Sequence, residues 1–227
     1  MSDETEEQKK LMRQIDISCV QAFHTMDEID AMVELAKKYR LAAVFTLPAF
    51  SAHVAERLQD TREIHAGGVV SFPGGGDTTG QKKRQAKELW EAGCREIDMV
   101  MNLTAFRSHE FSYVKEELLA IREQVPSAIF KVIIEAPQLT EQEICQAVDL
   151  CVKGRADYVK STGWYPGCPS TVEQVRIMSR EAAGRIQIKA AGGIRSLETI
   201  QEMQKAGCSR FGMGMRSVQN LIKSIYK

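Results

Sequence analysis

Short apolar runs rich in β-branched residues alternate along this chain with stretches whose apolar positions recur every three or four residues. The runs fall at 15–16, 42–46, 68–72, 96–101, 130–134, 158–159, 186–188 and 210–212. The amphipathic stretches fall at 26–38, 52–58, 81–91, 111–124, 141–152, 172–183, 197–205 and 218–226. The first pattern predicts buried strands, the second helices with one face on a core. The 195 residues from Ile15 to Arg210 divide into seven repeats of about 28, a spacing that suits βαβ units and a parallel sheet. Thr25 with Glu28 and Thr140 with Glu143 have the spacing of capping boxes, and Ala92-Gly93, Lys153-Gly154 and Ala206-Gly207 read as helix ends.

Eight such units predict a TIM (β/α)8 barrel. A doubly wound sheet would use fewer units and often a GxGxxG turn after its first strand, which is absent after 15–16. No linker-like segment divides residues 1–227, so they read as one domain, with residues 1–10 as a flexible N-terminal segment. A barrel concentrates its chemistry at the C-terminal ends of the strands. The polar residues there are Asp16, Asp98, Glu135, Lys160 and Lys189.

Composition narrows the class. Thirty basic residues balance thirty acidic ones, which gives no support for nucleic-acid binding. No run reaches the length of a membrane span, and MSDETEEQKK is too polar for a signal peptide. The six cysteines form no CxxC pair. They read as buried thiols of a reducing compartment, and so of a cytoplasmic protein. The four histidines lack metal-ligand spacing, so no metal is expected.

Lys160 and Lys189 each end a short apolar run, the sixth and the seventh. Either alone reads as a salt-bridge partner. On adjacent barrel strands, about 4.8 Å apart, their ammonium groups would approach each other. Repulsion and burial would then favour the neutral amine that Schiff-base chemistry requires. Asp98 ends the fourth run and, pointing inward, would pair with them or transfer protons. Asp16 is a second carboxylate or an ordinary turn residue. Gly192 and Gly193 after the seventh run, and Gly212 and Gly214 after the eighth, sit where barrels commonly hold a phosphate, with Arg195 and Arg216 close in sequence. The segment Ser71-Phe72-Pro73-Gly74-Gly75-Gly76 lacks the GxxxxGK spacing of a nucleotide loop. Trp164 and Tyr165 make the sixth loop long and aromatic, a pocket wall or a packed rim.

From Asp16 to about Gly214 the chain resembles the deoxyribose-phosphate aldolase family. The resemblance rests on Phe72-Pro73, Glu96-Ile97-Asp98-Met99-Val100, Lys131-Val132-Ile133-Ile134-Glu135, Val159-Lys160-Ser161-Thr162-Gly163 and Lys189-Ala190-Ala191-Gly192-Gly193-Ile194-Arg195. It implies a barrel without metal or organic cofactor that cleaves 2-deoxyribose 5-phosphate to glyceraldehyde 3-phosphate and acetaldehyde. Lys160 would carry the Schiff base, Lys189 would perturb it, and Asp98 would relay protons. Asp16 matches the first-strand aspartate, and Gly192, Gly193 and Gly212 match the phosphate cradle. Ser161, Thr162, Trp164, Gly214 and Arg216 are further candidates to touch substrate.

The chain also departs from the family pattern. Lys160-Ser161-Thr162-Gly163 is one residue shorter than the usual Lys-Thr-Ser-Thr-Gly. Phe45 replaces a frequent cysteine, and Gly214-Met215 replaces two serines. Two rivals follow: a lysine aldolase acting on another phosphorylated or carboxylated sugar derivative, and a non-catalytic ligand-binding barrel. The retained lysine pair argues against the second. The expected partner is a small phosphorylated sugar or aldehyde, and an apolar helix face would allow a homodimer or larger homo-oligomer.

Overall fold

Eight parallel strands close on themselves in chain order. The computed structural model describes residues 5–162 and 168–226. The strands are β1 (Ile15–Cys19), β2 (Ala43–Thr46), β3 (His65–Val70), β4 (Glu96–Val100), β5 (Ile129–Ile133), β6 (Tyr158–Lys160), β7 (Gln187–Ala191) and β8 (Arg210–Gly214). The helices are α1 (Glu6–Met12), α2 (Met26–Tyr39), α3 (Ser51–Arg57), α4 (Thr79–Glu91), α5 (Leu103–Arg107), α6 (Phe111–Gln124), α7 (Glu141–Lys153), α8 (Val172–Ala182), α9 (Leu197–Lys205) and α10 (Met215–Ile225). β8 pairs with β1 and completes the expected TIM barrel. Among the described residues no helix is long and apolar enough to cross a membrane.

Strand alternation sorts side chains into two regions. Ile15, Ile17, Val44, Ile97, Phe130, Val132, Val159, Ile188, Phe211 and Met213 point out against the helices and form the main apolar core. The inward positions carry a small apolar cluster, Ala43, Phe45 and Val69, and a larger set of charges described below. Each fully buried aliphatic side chain contributes about 1.5–3 kcal/mol, so the outer layer carries most of the folding drive. The inner layer is thereby left open to polar side chains.

Both expected capping boxes form, at Thr25 with Glu28 and at Thr140 with Glu143. Each such cap contributes about 1 kcal/mol. Three elements differ from the sequence reading. Residues 6–10, expected in a flexible segment, form α1 together with Leu11 and Met12, because Thr5 and Gln8 make a capping box and Met12 is fully buried. Gln8 Nε2 also donates to the Ile225 carbonyl at 3.1 Å, tying this helix to the end of α10. The short helix α5, capped by Asn102, is too brief to show a periodicity. β3 begins at His65, not at 68, so Gly67 is a strand residue as well as Gly68. Phe45 and Leu89 occupy the space beside them, with side-chain atoms 2.4 and 2.8 Å from where a Cβ would lie.

Candidate active site

The strand registers place Asp98 opposite Lys131, Ile133 opposite Lys160, Lys160 opposite Lys189, and Lys189 opposite Arg210. Because residues i and i+2 share a face of a strand, Glu96 and Asp98 of β4 both enter the barrel. Four cations reach them from β5 to β8.

Asp98 is the centre. Its Oδ2 accepts from Lys160 Nζ at 2.8 Å and from Lys189 Nζ at 2.6 Å, and its Oδ1 accepts from Lys131 Nζ at 3.0 Å. Burial alone would raise this carboxyl's pKa, but the ammonium groups of Lys131, Lys160 and Lys189 hold it well below the usual carboxylate range. Asp98 is therefore a fixed anion. Lys189 also pairs with Asp16 Oδ2 at 2.6 Å. Burial lowers the Lys189 pKa to about 8; Asp16 and Asp98 oppose this, and the charges of Lys160 and Lys131 add to it. The Lys160 side chain is 9% exposed against 1% for Lys189, so Lys160 is the amine nearer the open mouth.

The connected ion pairs comprise three carboxylates, Asp16, Glu96 and Asp98, and four cations, Lys131, Lys160, Lys189 and Arg210. Full ionisation leaves one positive charge in excess within a buried cluster. Loss of one lysine proton balances it, which is the electrostatic condition for a nucleophilic amine. Phe45 lies against two of the cations, its ring centroid 4.5 Å from Lys189 Nζ and 4.8 Å from Lys131 Nζ.

Lys160, Lys189, Asp98 and Asp16 thus meet in one cluster. Asp16 is 1% exposed and is held by Lys189 and by Arg210 Nε at 2.6 Å; it is a partner of the lysines, not a free turn residue. Ser161 and Thr162, expected at the substrate, are turned into the protein. The Ser161 hydroxyl pairs with Ser170 Oγ at 2.5 Å and accepts from Ala191 N at 3.1 Å, while Thr162 Oγ1 donates to Glu135. These bonds tie the end of β6 to its neighbours. Gly212, expected in a phosphate cradle, lies beside the stem of Lys189. A side chain there would meet Lys189 Cε at 3.2 Å and Ala191 Cβ at 3.0 Å, so the glycine makes room for the lysine stem.

Gly192 and Gly193 are exposed at the end of β7, with φ of +83° and +76°. Gly214 caps α10 with open space around it. Since β7 and β8 are neighbours, these glycines and the α10 N-terminus flank one corner of the mouth. Arg216 is exposed in the first turn of α10, and its charge helps to lower the pKa of Glu28. Trp164 lies outside the described residues.

Lys131, Glu96 and Arg210 were not singled out from the sequence as site residues. The signal was present: each is a charge inside a strand that a parallel barrel buries on both faces. Among the described residues no group of three or more His, Cys, Asp or Glu side chains is arranged to hold a metal ion.

A sequence profile of DeoC/LacD family aldolases matches residues 2–222. The chain is 38% identical over 219 residues to the deoxyribose-phosphate aldolase of Klebsiella pneumoniae, covering 95% of this chain and 88% of that protein. Its structure resembles that of an aldolase called QR15, with a TM-score of 0.88 and 33% identity over all of this chain and 97% of the other. It shares its fold with the tetrameric deoxyribose phosphate aldolase of Aeropyrum pernix, at a TM-score of 0.87 and 23% identity over 96% of this chain and 92% of the other.

Proposed function

This chain belongs to the DeoC/LacD aldolase family, and from that premise we propose that it is a class I lyase cleaving 2-deoxyribose 5-phosphate to glyceraldehyde 3-phosphate and acetaldehyde. The observation that carries the reading is the shared oxygen: Lys160 and Lys189 both bind Asp98 Oδ2.

In this mechanism the neutral Lys160 amine adds to the substrate aldehyde, and loss of water leaves an iminium. The iminium withdraws electrons from the bond between the second and third carbons. As that bond breaks, the third-carbon hydroxyl loses its proton and becomes the aldehyde of the departing glyceraldehyde 3-phosphate. The electron pair stays on Lys160 as an enamine, which takes a proton at carbon and is hydrolysed to acetaldehyde and free amine. Asp98, held as an anion by the surrounding ammonium groups, would accept protons in the relay that the sequence reading gave it. Lys189, with a pKa of about 8, would share that task near neutral pH. Asp98 then steers both amines and balances their charge.

The phosphate would sit at the corner formed by Gly192, Gly193 and Gly214, where the α10 N-terminus favours an anion, with Arg216 in the first turn of that helix. No side chain caps α10, which favours a second reading in which a related carboxylated or differently phosphorylated sugar is the substrate. Comparison of turnover across such a panel separates the two. The six free thiols suit a cytoplasmic setting.

Borohydride reduction in the presence of acetaldehyde tests the chemistry directly. Peptide mass spectrometry should find an ethyl adduct on Lys160. An adduct on Lys189 alone would overturn the assignment.

A further inference from the structure

The charge cluster does not end at the two lysines. It continues down the barrel to the opposite, N-terminal face, where Glu96 opens β4. Glu96 is 1% exposed and meets three donors. One oxygen binds Lys131, both accept from Arg210 Nη2 at 2.7 and 2.9 Å, and Oε1 accepts from His65 Nδ1 at 2.9 Å. Lys131 in turn donates to Asp98 Oδ1 at 3.0 Å. With Oδ1 tied from below, the other oxygen of Asp98 is the one presented to Lys160 and Lys189.

We infer that Glu96 is a positioning residue for the lysine centre: acting through Lys131, it orients Asp98 so that Oδ2 faces both amines, and His65 is the solvent-side end of the same chain of contacts. The inference rests on the aldolase reading above. Stability alone is a weak reason for the arrangement, because well-packed apolar residues commonly replace buried ion pairs without loss. A continuous link to the reacting amines supplies a stronger one. The charged and titratable groups around Glu96 are His65 from β3, Lys131 from β5, Tyr158 from β6, Arg210 from β8, Asp16 from β1 and Asp98 two residues along β4. The His65 side chain reaches solvent, at 36%, and Tyr158 is half-buried.

The signs differ on the two sides of Glu96. Replacing it by glutamine removes a negative charge from the cluster and releases Lys131, so the lysines lose protons more readily while Asp98 is held less firmly. Removing His65 takes away a donor to Glu96, since an ionised carboxylate can only accept. The carboxylate then acts more strongly on the remaining cations, and the lysines hold their protons longer.

The test is the pH dependence of borohydride trapping with acetaldehyde, together with kcat and KM for cleavage of 2-deoxyribose 5-phosphate. In Glu96→Gln the midpoint of the trapping limb should fall by about one unit. Its kcat should drop roughly tenfold to a hundredfold, as for a misplaced catalytic group, with KM within about twofold of wild type. In His65→Phe the midpoint should instead rise by a few tenths of a unit. In a Lys131→Met background neither substitution should move it. An unmoved midpoint in His65→Phe, or equal shifts with and without Lys131, would overturn the inference. If circular dichroism shows Glu96→Gln unfolded, His65→Phe decides alone. Absence of any adduct in the wild-type protein would instead remove the aldolase reading and this inference with it.

Discussion

Two amines on one carboxylate oxygen make the residue scale unusually sensitive to charge. Lys189→Met leaves Asp98 Oδ2 to Lys160 alone and removes a neighbouring ammonium. Both changes make the enclosed cluster less positive, so the limb for iminium formation should move to higher pH. A displacement of one unit corresponds to about 1.4 kcal/mol between protonation states. Turnover should fall as well, because a proton-carrying group is gone. Trapping rates against pH, compared with wild type, check both expectations. Gly212→Ala acts by volume. Its new methyl would press on Lys189 Cε and Ala191 Cβ, at a stability cost of about 1–3 kcal/mol by urea denaturation. A displaced Lys189 should also reduce kcat more than it alters KM.

At the scale of elements, the end of β4 is held from outside the barrel by a second buried pair. Lys82 of α4 donates to the Val100 carbonyl and to Glu117 of α6, both at 2.9 Å, and Glu117 accepts from Asn102 N at 3.1 Å. Burial lowers the Lys82 pKa and raises that of Glu117, each against the pull of its partner. Lys82→Met would strand a buried carboxylate, so a loss of about 3–5 kcal/mol is expected in chemical denaturation. The double variant Lys82→Met/Glu117→Leu should recover much of it, because no charge is then left unpaired. The strands, most of the helices and both expected capping boxes were legible in the chain, since periodicity and caps are local. The buried pair was not. Lys82 reads as a polar residue near the start of an amphipathic helix, and only the packing of α6 against α4 shows that its ammonium is enclosed.

For the whole molecule, pH acts through the charges enclosed by the barrel. Asp98 and Glu96 have native pKa values below their ordinary values of 3.8 and 4.5; burial opposes the shift and the surrounding cations produce it. The unfolded chain therefore binds protons first on acidification. The stability these two groups provide is complete above their ordinary range and is lost as pH falls through it toward the native values. Urea midpoints should decline below about pH 4.5, and the decline should be shallower in Asp98→Asn. Lys189 has the opposite cast. Its pKa is lowered from 10.5 to about 8, first by burial, so its cost to stability is greatest below pH 8 and is relieved between those two values. The sequence by itself determined the eight-fold alternation, the barrel, and the placing of Asp98, Lys160 and Lys189 at strand ends, because hydrophobic period and strand order are written in one dimension. Only the tertiary structure decided that Asp98 is shared by three lysines, and that Ser161, Thr162 and Gly212 lie against the protein's own side chains and backbone. Only there, too, do Lys131, Glu96 and Arg210 join the centre. Those outcomes depend on register across a closed sheet, which brings together Asp16 and Arg210, 194 positions apart in the chain, and on burial, which turns weak surface charges into strongly coupled ones.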